Sequence, residues 1–146
     1  MPESFTISVF TRAPRAVVWS VFSDIGSWRA VGAEMHGEVH WRSGEPWARG
    51  STFVAELLHP VQASVTHRIL SCVPAERVNW SAHAIRVTIE RLIEFKDAAN
   101  ETEIKTSAIL VGNPARNLGG DLGDLLNQFT SRWYQQLARA CDAQVG

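Results

Sequence analysis

The stretch APRAVVWSVFSDIGSWRAVG, Ala13 to Gly32, sets two of the chain's six tryptophans, Trp19 and Trp28, nine residues apart. Pro14 suits the first turn of a helix, where its missing N–H is not needed. Val17, Val18, Val21 and Phe22 recur at helical spacing. Asp24 is placed to cap a second short helix by accepting backbone N–H bonds, and Trp28 and Val31 give that helix an apolar side. The pattern predicts a corner of two short helices, with the tryptophans as its packing residues.

Upstream, Phe5 to Thr11 alternates as a strand, with Phe5, Ile7 and Val9 on one face. Downstream, from about Met35, the period changes to two. Strands are predicted near Met35–Arg42, Ser51–Leu58, Val61–Cys72, Arg77–His83, Arg86–Phe95 and Glu101–Val111. Short connections with turn residues join them, which implies antiparallel neighbours and one meander, with the opening strand as a seventh member. Asn117 to Asp121 read as a loop and cap. After it Leu122, Leu126, Phe129, Trp133, Leu137 and Ala140 form one apolar stripe, which predicts an amphipathic helix of about 21 residues. The glycines Gly119, Gly120 and Gly123 read as a flexible lead into that helix.

The chain has 146 residues, 45% of them hydrophobic and 20% charged, with a formal net charge of −1. That suits a single domain over 1–146 with a substantial core. It carries no electrostatic footprint for nucleic acid or anionic membrane. No apolar run approaches the ~18 residues of a membrane span. The start lacks a basic region followed by an apolar run, so a cytoplasmic location is expected. Cys72 and Cys141 are far apart and fit neither zinc nor redox spacing, which leaves two reduced thiols.

This order of elements resembles the helix-grip fold of the START and birch-pollen-allergen superfamily (SRPBCC). The opening strand and corner look like the start of bacterial polyketide cyclase/dehydrase and lipid-transport family members, through Ala13-Pro14, Val18-Trp19, Ser23-Asp24 and Trp28. Asn100-Glu101-Thr102, where a Gly-Thr-like turn is usual, and Val31-Gly32, where a second tryptophan often follows, depart from that pattern. The resemblance implies an α+β fold. A seven-stranded curved antiparallel sheet would wrap a long C-terminal helix, with a deep cavity between them for a hydrophobic or amphipathic small molecule. A lipid or polyketide-like molecule is the implied partner, and the glycine lead into the last helix would border the cavity entrance, where it could act as a gate. It implies no cofactor, no nucleic acid and no membrane insertion, and leaves the oligomeric state open, a dimer included. It also does not choose among carriers, sensors, cyclases and aromatases.

Candidate chemistry is sparse. His36, Glu38 and His40 alternate, so they would share one strand face within reach of a common metal. Val39 and Trp41 take the buried parity, so the trio is expected to face water on an edge strand. No third well-placed ligand supports a metal site. Parity puts Ala63, Val65, His67 and Ile69 inside on one strand, and Val78, Trp80 and Ala82 on the next. Val87, Ile89, Arg91 and Ile93 follow, then Ile104, Thr106, Ala108 and Leu110. Arg91 thus falls among apolar residues, where a guanidinium is costly unless served. It could anchor an anionic ligand oxygen or pair internally, with Asp121 and Asp124 as conceivable partners. Alternatively a bulge could turn it outward, or it could sit at the cavity mouth. With tight turns, His67 falls opposite roughly Ala82 and Arg91 opposite roughly Val78. That offset of about four residues argues against a dyad.

The residues expected to line the cavity are His67, Trp80, Val87, Ile89, Arg91, Ile104, Thr106, Leu126, Phe129 and Trp133. There is no Gly-x-Ser-x-Gly, phosphate loop or nucleotide fingerprint. A binding protein is the leading expectation. A polyketide cyclase or aromatase, using Arg91, His67 or Thr106 to polarise a carbonyl or move a proton, is the alternative. A protein-interaction module is the third reading.

Overall fold

The computed structural model describes residues 4–32, 34–59, 62–84, 87–111 and 114–146; of Val87 and residues 114–124 it describes the backbone alone. Strand β1 (Ser4–Thr11) leads into helix α1 (Arg15–Ser23), a single 3-10 turn (Ile25–Ser27) and helix α2 (Trp28–Val31). Six strands follow: β2 (His36–Ser43), β3 (Thr52–Leu57), β4 (Ala63–Val73), β5 (Arg77–Ala84), β6 (Val87–Ala98) and β7 (Glu101–Val111). Helix α3 (Pro114–Gln144) closes the chain. The seven strands form one antiparallel sheet in the order β1-β7-β6-β5-β4-β3-β2. The meander is therefore complete, and β1 joins it beside β7.

Pro14 sits one position before α1, and its carbonyl accepts from the backbone N–H groups of Val17 and Val18. Asp24 does not cap with its side chain. Its carbonyl instead accepts from the Ser27 backbone N–H at 2.9 Å and the Ser27 hydroxyl at 2.7 Å. The main chain therefore makes the turn.

Helix α3 has 31 residues, ten more than the apolar stripe predicts (31 − 21). Pro114 opens it, and Asn117 to Asp121 lie inside the helix rather than in a loop. The three glycines weaken a helix by about 1 kcal/mol each relative to Ala, but do not end this one. A gate built on a flexible lead loses its basis, because the lead is helical. The buried face of α3 is two residues wide, with Trp133 and Tyr134, then Leu137 and Ala138, then Cys141. At its far end Asp142 Oδ1 accepts from the Thr11 hydroxyl (2.7 Å) and the Arg12 backbone N–H (2.8 Å), which ties α3 to the end of β1.

Strand β2 differs from the simple alternation. His36 pairs with Leu57, yet Val39 pairs with Ala55, so three steps on β2 oppose two on β3. This bulge, at Gly37-Glu38, inverts the phase of the strand. Glu38 and His40 face water while Val39 and Trp41 face the core, but His36 turns inward and is 4% exposed. The His-Glu-His trio expected on one face is thereby split. Among the described residues no group of three or more His, Cys, Asp or Glu is placed to hold a metal.

The core joins the helical corner to the sheet. Trp28 donates its indole N–H to the Phe22 carbonyl at 2.9 Å and packs against Phe22, Phe53, Trp80 and Trp133 at centroid separations of 5.4–6.2 Å. Gly32 ends α2 in close contact with α3. A Cβ there would lie 2.9 Å from the Trp133 ring and 2.8 Å from Gln136 Oε1. Gly32→Ala is expected to push α3 off the corner and cost about 1–3 kcal/mol in urea denaturation. Gly26→Ala, whose Cβ would meet its nearest neighbour at 3.5 Å, is the control, expected to change stability by less than about 0.5 kcal/mol. Equal losses in the two variants would show that Gly32 is not the tight contact.

Candidate functional site

A cavity of about 90 Å³ lies between the sheet and α3. Strands β2 to β6 contribute His36, Ala55, Leu57, Val65, His67, Trp80, Ala82, Ile89 and Arg91 to its wall. Trp28 comes from α2, and α3 contributes Leu126, Phe129, Trp133 and Tyr134. The half-buried members Leu57, Val65, Ile89, Leu126 and Phe129 stand where the wall meets solvent. Trp28, Trp80 and Trp133 are nearly fully buried and form the floor.

Of the residues singled out in the sequence, His67, Trp80, Ile89, Arg91, Leu126, Phe129 and Trp133 meet around this cavity. Ile104 and Thr106 do not. Both are fully buried on β7, behind the wall. The side chain of Val87 lies outside the described residues, as do those of Asp121 and Asp124.

Arg91 is 8% exposed. Its Nη1 donates to Thr106 Oγ1 at 2.7 Å and its Nη2 to Thr130 Oγ1 at 2.9 Å. Its guanidinium carbon lies 5.8 Å from the centroid of the Tyr134 ring. Two hydroxyls and a π face therefore hold the cation, and among the described residues no carboxylate pairs with it. Burial disfavours its charged form, and the Tyr134 oxygen partly offsets this. A guanidinium nevertheless stays protonated in proteins. Burial also pushes the Tyr134 phenol up, while Arg91 and the Thr106 hydroxyl pull it back.

The register corrects one expectation. His67 pairs with Ala82, but Arg91 pairs with Trp80 rather than Val78. Strand β5 runs to Ala84, which pairs with Val87, so a two-residue link joins β5 to β6. The His67 and Arg91 rows are thus two residues apart, about 6.7 Å along the strands, instead of four. Both side chains reach one cavity.

The two histidines are unusual interior groups. The His67 ring stacks on Phe53 at 4.2 Å and 4° and meets Trp80 edge-on at 5.1 Å. The His36 ring meets Trp133 at 4.6 Å and Phe129 at 5.7 Å, both edge-on. Neither His36 nitrogen has a hydrogen-bond partner, nor does His67 Nδ1. Burial lowers His36 to about 4. Burial, then the charges of His36 and Arg91, lower His67 to about 3. Both rings are neutral at pH 7.

Sequence reasoning missed His36, Thr130 and Tyr134 as members of this site. Gly37 inside a strand pattern was the signal for the bulge that turns His36 inward. Thr130 and Tyr134 each follow a stripe residue by one position, which a stripe of single residues overlooks.

The comparisons place this architecture. No protein-family model and no curated protein matches the chain. Solved structures do. The Zhui aromatase/cyclase from Streptomyces sp. R1128 superposes with a TM-score of 0.84 at 12% identity, over 100% of this chain and 97% of that one. This chain has the helix-grip fold. Ara h 8.0201 is similar with a TM-score of 0.76 at 10% identity, over 97% of this chain and 98% of that one. A hypothetical protein from Helicobacter pylori gives 0.78 at 14% identity, over 95% and 88%. At 10–14% identity these likenesses show the shared fold alone. Among the described residues no helix is long and apolar enough to cross a membrane.

The buried imidazoles make stability depend on pH. Their folded pKa values lie below the unfolded value of 6.5. The unfolded chain therefore binds protons that the folded chain refuses as pH falls below 6.5. Stability is full above that value and is lost on acidification, by roughly 3 kcal/mol per ring at about pH 4. Urea denaturation between about pH 7 and pH 4 is expected to show this slope, and His36→Phe and His67→Phe are each expected to remove part of it. A slope unchanged in both variants would assign the acid sensitivity to other groups.

Proposed function

We infer that this protein binds an apolar or amphipathic small molecule in the cavity between the sheet and α3, with Arg91 as its main polar contact. The observation that carries this reading is a guanidinium at the wall of an aromatic cavity, served by neutral partners. Pockets for small ligands are mostly apolar with a few placed polar groups, and this donor set has that composition. Proposed ligand contacts are His67, Trp80, Ile89, Arg91, Leu126, Phe129 and Trp133, to which His36 and Tyr134 are added. Thr106 and Thr130 act by positioning the guanidinium. A lipid or polyketide-like molecule remains the broad ligand class.

A second reading is favoured by one observation: His67 is a neutral imidazole in the same cavity as Arg91. In a cyclase or aromatase reaction, Arg91 would stabilise negative charge developing on a carbonyl oxygen and His67 would move a proton. The similarity to the Zhui aromatase/cyclase is compatible with this reading and supports only the shared fold.

Native mass spectrometry of the purified protein tests the inference. Wild type is expected to carry an additional small mass, and Ala82→Trp, which fills the cavity, is expected to lack it. A retained mass that is chemically altered on incubation would favour catalysis. Identical ligand-free masses for both proteins would overturn the binding reading, and a ligand-free dimer would favour an interaction module.

A further inference from the structure

The two edges of the sheet are unlike. Strand β2 ends it on one side and β1 on the other. The β2 edge carries a bulge and the exposed side chains of Glu38, His40 and Arg42. Bulges and charges of this kind keep an edge from pairing with another chain. Strand β1 has neither. Its sequence, SFTISVFT, holds no charged residue, proline or glycine. It pairs with β7 from Ser4 to Thr11 without a register shift. Among the described residues no backbone hydrogen bond reaches its outer edge.

The side chains of β1 are also short of cover. On β7 the inward residues Thr102, Ile104, Thr106, Ala108 and Leu110 are all buried. Phe5, Ile7 and Val9 face the same way on β1, paired with Ala108, Thr106 and Ile104, yet each is only half-buried. On the outer face, Phe10 is 51% and Ile109 41% exposed. Ile109 stands beside Ser4, while Phe10 lies toward the other end of the strand. Within one chain these two apolar side chains are therefore about 20 Å apart.

We propose that β1 pairs antiparallel with β1 of a second copy of this chain, about a twofold axis at Ile7. Such an axis sets Ser4 against Phe10, Phe5 against Val9, Thr6 against Ser8 and Ile7 against itself. This register matches every residue from Ser4 to Phe10 on both chains and keeps each side chain on its own face. Phe10 of each protomer then lies beside the partner's Ser4, with the partner's Ile109 one strand further on. A serine is too small to separate them, so an exposed phenyl ring covers an exposed isoleucine at both ends of the seam. On the inner face Phe5, Ile7 and Val9 meet their counterparts and gain the cover they lack. This match of the strand to itself singles out a second copy over an unrelated extended peptide. One strand per protomer is a small contact, so the dimer is expected to be weak and concentration-dependent. It uses no residue of the cavity wall, so it forms with or without a ligand.

Sedimentation velocity of the full chain from about 1 µM to about 500 µM tests this, because a dimer is populated by mass action. Wild type is expected to pass from monomer toward dimer over that range. The double variants Thr6→Lys/Ser8→Lys and Thr6→Glu/Ser8→Glu set like charges opposite each other across the axis, and each is expected to weaken association at least about tenfold. Both positions are exposed in the single chain. An equimolar mixture of the two variants is expected to dimerise again, since every lysine then faces a glutamate. Phe10→Ser is expected to weaken the dimer by about fivefold. Hydrogen exchange on wild type needs no variant: protection of the β1 amides is expected to rise with protein concentration. A wild type that stays monomeric throughout would overturn the proposal, as would β1 amides whose protection is independent of concentration. A dimer that both charged variants form as readily as wild type would place the contact elsewhere and overturn it too. Folded variants that lose the dimer and fail to recombine would reject this register, and with it the proposal.

Discussion

Trp28 is the contact on which the arrangement of the molecule depends. Its indole N–H is fixed on the Phe22 carbonyl, so its ring cannot turn away. From that position it touches β3 through Phe53, β5 through Trp80, the bulged strand through His36, and α3 through Trp133. A short corner of two helices thereby sets the distance between the sheet and the long helix. Gly32, four residues on, lets α3 approach that corner directly. The cavity is the space left beyond this contact, and its floor is built from the same rings.

Electrostatics gives the remaining space its character. A fully solvated arginine would attract little notice, but Arg91 is enclosed. Thr106 and Thr130 come from β7 and α3, so its fork bridges both layers of the fold. Hydroxyls can satisfy N–H donors, but they do not balance charge. The neutral histidines opposite add no counter-charge. Among the described residues the charge of Arg91 is therefore unbalanced in a low-dielectric setting, where an anion is attracted more strongly than at a surface.

Much of this was legible in the sequence, for identifiable reasons. Alternation is regular through His67 on β4 and over β6 and β7, and it places Arg91 and His67 inward. The short turns gave the antiparallel order, and the apolar stripe located α3. Three features depended on facts that patterns carry weakly. The β2 bulge shifts phase by one residue, which inverts a face. The β5–β6 link differs from the expected turn, and that alone moves Arg91 from Val78 to Trp80. The first turns of α3 contain three glycines, so local propensity argued for a loop where the chain is helical. In each case the geometry is set by connections and packing rather than by the hydrophobic pattern.

The bulge at Gly37 also bears on how such a protein can change. A point substitution alters one side chain in place. A one-residue insertion in an edge strand exchanges which residues face the interior on one side of it, while the pairing beyond continues. Here that shift exchanges a solvent-facing imidazole for an interior one, with Val39 and Trp41 still seated in the core. The edge strand is the place where this is tolerated, because only one neighbour must adjust its register. Gain or loss of a single residue near position 37 is thus a short evolutionary step that rewrites the polar lining of the cavity while Val39 and Trp41 keep their places.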